Sequence, residues 1–228
     1  VNDAARENRL TRPIDGVLNL LDRQLLDSDG KMLGKVDDVE LTEQDDTLVI
    51  TALLTGHAAL LDRLGGRLGA ALVAKWAQLK VSEPDRSRPW RIDIDDVDRL
   101  DSAVHLAVPR DGVLRRDTEA RRLGRLTRMK VLGPDNENLG RVLDARFERG
   151  LRDRLVLHSL IIGPGRPGSL LGYDRHRRQG PWLIRVLVDR LHRRTGIIGI
   201  DAAEILWDAA QVRLRRLPDP GPGHPFAD

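Results

Sequence analysis

Apolar and polar positions along this chain fall into short runs separated by turn residues, and the runs come twice. Leu25-Leu26 leads into Asp27-Ser28-Asp29-Gly30-Lys31 and resumes as Met32-Leu33-Gly34-Lys35-Val36-Asp37-Asp38-Val39. At an offset of 106 residues, Val131-Leu132 leads into Gly133-Pro134-Asp135-Asn136-Glu137 and resumes as Asn138-Leu139-Gly140-Arg141-Val142-Leu143-Asp144-Ala145. Leu48-Val49-Ile50-Thr51-Ala52-Leu53-Leu54 is answered by Leu155-Val156-Leu157-His158-Ser159-Leu160-Ile161, and each run is followed by a glycine, Gly56 or Gly163. Ile92-Asp93-Ile94-Asp95 is answered by Ile198-Gly199-Ile200-Asp201, and Ala103-Val104-His105-Leu106 by Gln211-Val212-Arg213-Leu214. Elements recurring in one order at a nearly constant offset mark a duplicated domain, since the period is too long for a solenoid repeat.

Each element has a physical reading. Asp29-Gly30 and Asp135-Asn136 tolerate positive φ, which predicts a hairpin turn in each half. Gly34 and Gly140 interrupt the return strands, as a bulge or a barrel corner requires. The continuous apolar runs that follow predict strands buried on both faces. Two segments carry helical spacing instead. One is Leu60, Leu61, Leu64, Leu68, Leu72 and Trp76, and the other is Trp182, Leu183, Val186, Leu187, Arg190 and Leu191 after Pro181. Gly196 would cap the second helix. The expected fold is therefore mainly β with helices (α+β), as two tandem small β-barrels, each with an inserted or packed helix. The expected domains are 14–108 and 125–217, with a polar linker at 109–124 and a disordered Pro/Gly tail at 218–228.

At this point a resemblance enters. Leu26-Asp27-Ser28-Asp29-Gly30-Lys31-Met32-Leu33-Gly34-Lys35-Val36-Asp37-Asp38-Val39 is similar to the opening hairpin of the PRC-barrel domain, and so are residues 131–147. The shared pattern is an apolar strand, a Gly/Asp turn and then Gly-basic-Val-x-Asp. Residues 94–100 and 200–206 echo the family's closing segment. The resemblance spans roughly 17–108 and 125–217. It implies a small β-barrel that binds other macromolecules. The family includes the cytoplasmic part of the photosynthetic reaction-centre H subunit, the C-terminal domain of the ribosome maturation factor RimM and archaeal division-associated adaptors. The chain shows no Tyr-Trp motif of the ribosomal subfamily, no N-terminal domain of that type and no membrane span of the reaction-centre type.

Charge divides the two halves. Residues 1–109 carry 14 Lys+Arg against 20 Asp+Glu, and residues 110–228 carry 24 against 15, so a net charge of +3 hides −6 and +9. The basic residues gather at 115–130 and 175–194. Arg175, Arg177, Arg178, Arg190, Arg193 and Arg194 are the candidate interaction residues, able to meet RNA, anionic lipid or acidic protein. Asp29, Gly30, Gly34, Asp135, Asn136 and Gly140 are the candidate fold-defining turn residues.

Composition narrows the chemistry. There are no cysteines, which excludes disulfides, Cys-ligated zinc, iron–sulfur clusters and thiol catalysis. No run reaches the roughly 20 apolar residues of a membrane span, and no signal peptide is expected. Four Trp, one Tyr and two Phe leave the cores to aliphatic side chains, with Trp76, Trp90, Trp182 and Trp207 as core anchors. His57, His105, His158, His176, His192 and His224 show no metal-ligand spacing. Asp27-Ser28-Asp29-Gly30 resembles the start of a calcium loop, but Lys31 stands at the fifth position and Asp38 where a bidentate Glu belongs. The loop from Gly163 to Ser169 lacks the Gly-Lys-Ser/Thr ending of a phosphate cradle, and its prolines remove amide donors. Asp93, Asp95, Asp96, Asp98 and Asp101 read as a solvated strand face, and Gly65 and Gly69 as a close-packing stripe on the first helix. No nucleophile elbow occurs.

The expected function is a non-catalytic adaptor that binds protein partners through its two domains, without catalytic, cofactor or metal residues, and with a homo-oligomer as one arrangement. The alternatives are an RNA- or ribosome-associated factor using the basic second half, and a peripheral regulator of a membrane complex. The expected location is the cytoplasm, extending in the last alternative to the inner face of the membrane.

Overall fold

In a computed structural model of the chain, the residues described are 10, 12–56, 59, 89–111, 115–116, 121–150, 153–164 and 196–217. The predicted helices after Gly56 and after Pro181 lie outside them, as do the 175–194 arginines and the 218–228 tail, save that Ala59 is helical and buried. The described residues are mainly strand with few short helices, and they include a sheet that curls as a half-barrel does.

The strands follow the duplication. The first copy holds β1 (Ile14–Asp15), β2 (Gln24–Leu26), β3 (Met32–Lys35), β4 (Asp38–Gln44), β5 (Thr47–Thr55), β6 (Trp90–Asp93), β7 (Val97–Leu100) and β8 (Val104–Leu106). After β9 (Arg115–Arg116), the second copy holds β10 (Arg121–Arg122), β11 (Lys130–Leu132), β12 (Asn138–Arg149), β13 (Leu155–Gly163), β14 (Gly196–Gly199), β15 (Ala203–Leu206) and β16 (Gln211–Leu214). A 3-10 turn follows β6 at Ile94–Asp96, and another follows β14 at Ile200–Ala202.

The backbone repeats bond by bond. The Asp27 amide donates to the Lys31 carbonyl and the Gly133 amide to the Glu137 carbonyl, both at 2.9 Å. The Val36 amide reaches the Arg23 carbonyl at 2.9 Å, and the Val142 amide reaches the Met129 carbonyl at 3.1 Å. Gly30 has φ +77° and Asn136 φ +62°, which is the left-handed region that each turn needs. In both hairpins the register slips by one residue. Leu25 pairs with Gly34 but Leu26 with Met32, and Val131 pairs with Gly140 but Leu132 with Asn138. Leu33 and Leu139 are therefore the extra residues of equivalent bulges, and both are half-buried. Beyond each bulge the chain bends, so β12 pairs with β11 at its start and with β13 further on. The motif aspartates brace this bend. Asp38 and Asp144 are buried, and the Oδ1 of each accepts the next residue's amide, Val39 or Ala145, at 2.8 Å.

The chain forms two compact units, residues 1–125 with 148–156 and residues 126–147 with 157–228. Unit 1 contains the four-stranded sheet β3-β2-β8-β7 and the ladder β10-β4-β5-β6-β9, with Val156 paired to Val49 of β5. Its core holds Leu25, Val36, Val39, Leu53, Leu54, Ile92 and Val104, all fully buried. Unit 2 contains β11 between β12 and β16, β15 beyond β16, and β14 on β13. Val131, Val142, Ala145, Phe147, Leu160 and Val212 are fully buried there. Each buried Val, Leu or Ile contributes about 1.5–3 kcal/mol.

The expectation of two tandem closed barrels is corrected. One sheet curls as a half-barrel, but among the described residues the strand orders stay open, and in unit 1 the strands divide between two sheets. Closure depends on which distant edges bond to one another, and the period of a strand does not record this.

Candidate interaction surfaces

On one face of the unit 1 ladder, alternation brings Glu40 of β4, Ala52 of β5 and Asp93 of β6 into one row, with Leu54 and Arg91 in the next. Glu40 is buried. Arg91 answers it with a two-pronged pair, Nε to Oε2 at 2.9 Å and Nη2 to Oε1 at 3.0 Å, and pairs with Asp93 through Nη1. Thr51 donates to Glu40 Oε1 at 2.5 Å, and its hydroxyl lies 3.0 Å from that of Thr42. The hydrogen bonds that Arg91 donates to Glu40 raise the Arg91 pKa further above its ordinary value, burial opposing them. A fork geometry with its lone pairs used is how a buried ion pair offsets desolvation.

A second cluster closes the β7–β8 hairpin. Asp101 Oδ1 accepts the Ala103 amide at 2.9 Å and lies 3.0 Å from His105 Nε2, while Arg99 Nε is 3.6 Å from Oδ2. Burial raises the Asp101 pKa, but the Ala103 amide, His105 and Arg99 outweigh it and hold the carboxyl at about 2. These contacts draw two members of the acidic run, Asp93 and Asp101, into ion pairs.

The turns differ in how they are pinned. Asp27 is buried, and its Oδ1 accepts the amides of Asp29 at 3.0 Å and Lys31 at 2.7 Å, while Lys31 Nζ lies 3.1 Å from Asp29. Lys31 thus supplies the positive charge over this turn. In the second copy Gly133 replaces Asp27, and Glu137 replaces Lys31. Glu137 Oε2 accepts the Asp135 amide at 3.0 Å, the equivalent of the Asp29 amide. A Cβ built on Gly133 would lie 2.6 Å from that same Oε2, so a side chain there would make the Glu137 carboxylate shift. Among the described residues no group of three or more His, Asp or Glu side chains could hold a metal ion.

Edge strands set the two copies apart most clearly. In unit 1 the outer edge of β6 carries β9, with Trp90 paired to Arg116 and Arg91 to Arg115. In unit 2 the equivalent strand, β14, pairs with β13 from Ser159–Gly199 to Ile162–Gly196, and among the described residues no strand pairs with its outer edge. Ile197 stands where Arg91 stands in the first copy and is 54% exposed. An exposed edge with a large apolar side chain is a template for another strand.

Of the sequence-predicted site residues, Asp29, Gly30, Gly34, Asp135, Asn136 and Gly140 lie in or beside the two hairpin turns, while the six arginines from Arg175 to Arg194 lie outside the described residues. The other features singled out in the sequence divide in the same way: Gly65, Gly69, Trp76, Trp182, His57, His176, His192, His224 and residues 165–169 also lie outside. Trp90 is 36% exposed and Trp207 half-buried, so neither is the core anchor expected. Gly163 ends β13, and its backbone and that of Pro164 lie against Gly140. The Glu40–Arg91 pair and the β14 edge are additions that the sequence pattern did not predict. A glutamate inside the run Asp38-Val39-Glu40-Leu41 is the available signal for the first, and the Gly196-Ile197-Ile198-Gly199 run for the second. No helix among the described residues is long and apolar enough to cross a membrane. No protein-family model matches this sequence, and no curated protein matches it.

Proposed function

We propose that this chain is a non-catalytic cytoplasmic adaptor of PRC-barrel kinship, and that β14 of its second unit takes an extended segment of a protein partner as an added strand. The observation that carries this reading is the contrast at the β6 and β14 edges. One copy fills the position with β9, and the other presents Ile197 on an edge that no described strand covers. Main-chain bonds would supply affinity, and the Ile197 side chain a specificity contact. Pro218, Pro220, Pro222 and Pro225 make residues 218–228 a poor strand, since proline has no amide for a ladder. A segment from another protein suits the edge better. The repeated Gly-basic-Val-x-Asp hairpin supports the kinship and with it the habit of binding macromolecules.

A photo-crosslinking residue at Ile197, expressed in the native cell, tests the proposal. The expected result is a discrete protein adduct at position 197 that is missing with the crosslinker at exposed Gln24. A synthetic peptide of the crosslinked segment should then bind the purified chain and slow hydrogen exchange of the β14 amides. No adduct, an adduct only with a second copy, or a peptide that leaves β14 exchange unchanged would overturn it.

A further inference from the structure

The solvent face of the unit 2 sheet holds unlike residues from its counterpart in unit 1. On β11, Val131 is fully buried and pairs with Val212, so Lys130 and Leu132 point the other way. Lys130 pairs with Arg141 on one side and Gln211 on the other, and Leu132 pairs with Arg213. Arg141, Lys130 and Gln211 therefore form a row across β12, β11 and β16. Arg213 lies one step along β16, diagonal to Lys130. Neighbouring strands are about 4.8 Å apart and diagonal neighbours about 7–8 Å, so three cationic side chains share one small patch. All three are exposed.

Two like charges directly opposed across a ladder destabilise it, and Lys130 and Arg141 are such a pair. Unit 1 avoids the arrangement. Its equivalent pair is Gln24 and Lys35, and the place of Arg213 is held by His105 beside Asp101. Arg141 Nη1 donates to the Arg128 carbonyl at 3.4 Å, which orients the guanidinium without neutralising it. Among the described residues no ion pair joins Lys130, Arg141 or Arg213 to a carboxylate. Glu204, the acid nearest in register, pairs across from Arg213, and Asp135 and Glu137 lie in the turn beyond Leu132.

We infer that this face, Arg141, Lys130 and Arg213 on β12-β11-β16, binds the sugar–phosphate backbone of a nucleic-acid strand. Closely spaced phosphates relieve the opposed charges, and guanidinium groups donate to their oxygens in two-pronged fashion. Gln211 and Asn138 add neutral hydrogen-bonding groups within the same rows. The chemistry favours nucleic acid over a membrane surface. Peripheral membrane binding adds apolar insertion to charge, and none of the exposed large hydrophobics, Met32, Trp90, Ile197 and Leu217, belongs to these three strands.

The test is titration of the full chain with a fluorescent 12-nucleotide oligouridylate at several salt concentrations. Three phosphate contacts predict a log–log salt slope of about −2, at ~0.7 per contact for single strands. Lys130→Gln, which copies the residue of the first repeat, should flatten the slope by about 0.7, and Lys130→Gln/Arg141→Gln/Arg213→Gln should flatten it by about 2. The melting temperature of Lys130→Gln should stay level or rise, because a repulsive pair is gone, whereas the triple variant also gives up the Arg213 charge opposite Glu204. If the triple variant does not fold, the single variant carries the test. Unchanged binding in these variants, abolished binding in Arg175→Gln/Arg177→Gln/Arg178→Gln with the sheet variants unaffected, or binding to phosphatidylserine vesicles but not to oligonucleotide would each overturn the inference.

Discussion

The two copies keep their inward apolar positions and exchange most of the polar ones. Val36 and Val142, Leu25 and Val131, and Val104 and Val212 are fully buried equivalents, and Asp38 and Asp144 brace the same bend. Among the polar positions, Gln24 becomes Lys130, Lys35 becomes Arg141, buried Glu40 becomes Arg146, Arg91 becomes Ile197 and His105 becomes Arg213. A buried position answers to the volume and backbone bonds around it, which duplication preserves. An exposed position answers to whatever binds there. Function in such a chain is therefore to be sought where the copies disagree. Four of these five exchanges alter charge in favour of the second copy or remove a charge pair from it.

The sharpest break of this comparison lies at the two bulge glycines. A Cβ on Gly140 would sit 2.5 Å from the Gly163 carbonyl carbon and 2.9 Å from the Pro164 nitrogen, and Gly140 has φ +113°. Backbone cannot swing aside, so Gly140→Ala is expected to destabilise unit 2 by about 3–5 kcal/mol. A Cβ on Gly34 would meet only the Thr55 hydroxyl, at 2.8 Å. Gly34→Ala should lose about 1–2 kcal/mol, and Thr55→Ala should restore part of that loss. Denaturant unfolding of the single and double variants measures both. Equal losses at the two glycines would show that the copies are packed alike here.

The next effect belongs to the ion pair that the first copy alone carries. Glu40→Ala leaves the Arg91 guanidinium, 20% exposed at its side chain, with Asp93 as its remaining charged partner. A broken buried pair costs about 3–5 kcal/mol, and the remaining Asp93 and partial exposure reduce this to about 2–3. The double change Glu40→Leu/Arg91→Ile, which places in unit 1 the apolar residue that unit 2 has at Ile197, should recover most of it. A double variant as unstable as the single one would mean that the pair holds β6 in place by more than charge.

Much of this fold is legible in the chain, and particular residues show why. Asp29-Gly30 and Asp135-Asn136 announce their turns because few residues accept positive φ, and Gly34 and Gly140 mark the bulges because a side chain has no room there. The continuous run in β5 is buried on both faces, as its lack of alternation implies. Barrel closure is not legible in the same way, because edge pairing is a property of distant segments. Glu40 is hidden as a buried acid because its partner, Arg91, lies 51 positions on. The charge of Lys130 and Arg141 is plain in the sequence, but their opposition depends on a register that the bulge at Leu139 sets.

The smallest effect tests whether the turns are interchangeable solutions to one requirement. In the first copy Asp27 caps the Asp29 and Lys31 amides, and in the second Glu137 caps the Asp135 amide from the other side of the turn. Asp27→Gly removes two accepted bonds to a carboxylate, but it also removes the Oδ2 atom, which is buried without a partner. The net loss is expected at about 1 kcal/mol. Lys31→Glu alone should also destabilise, because it sets a second carboxylate against Asp27 and Asp29 and discards the Lys31–Asp29 ion pair. Asp27→Gly/Lys31→Glu reproduces the second copy's turn and should return to within about 0.5 kcal/mol of the parent chain. Thermal melts of the three variants read the cycle. Simple additivity would mean that the carboxylate is not shared between the two positions, and that the copies reached similar turns by independent means.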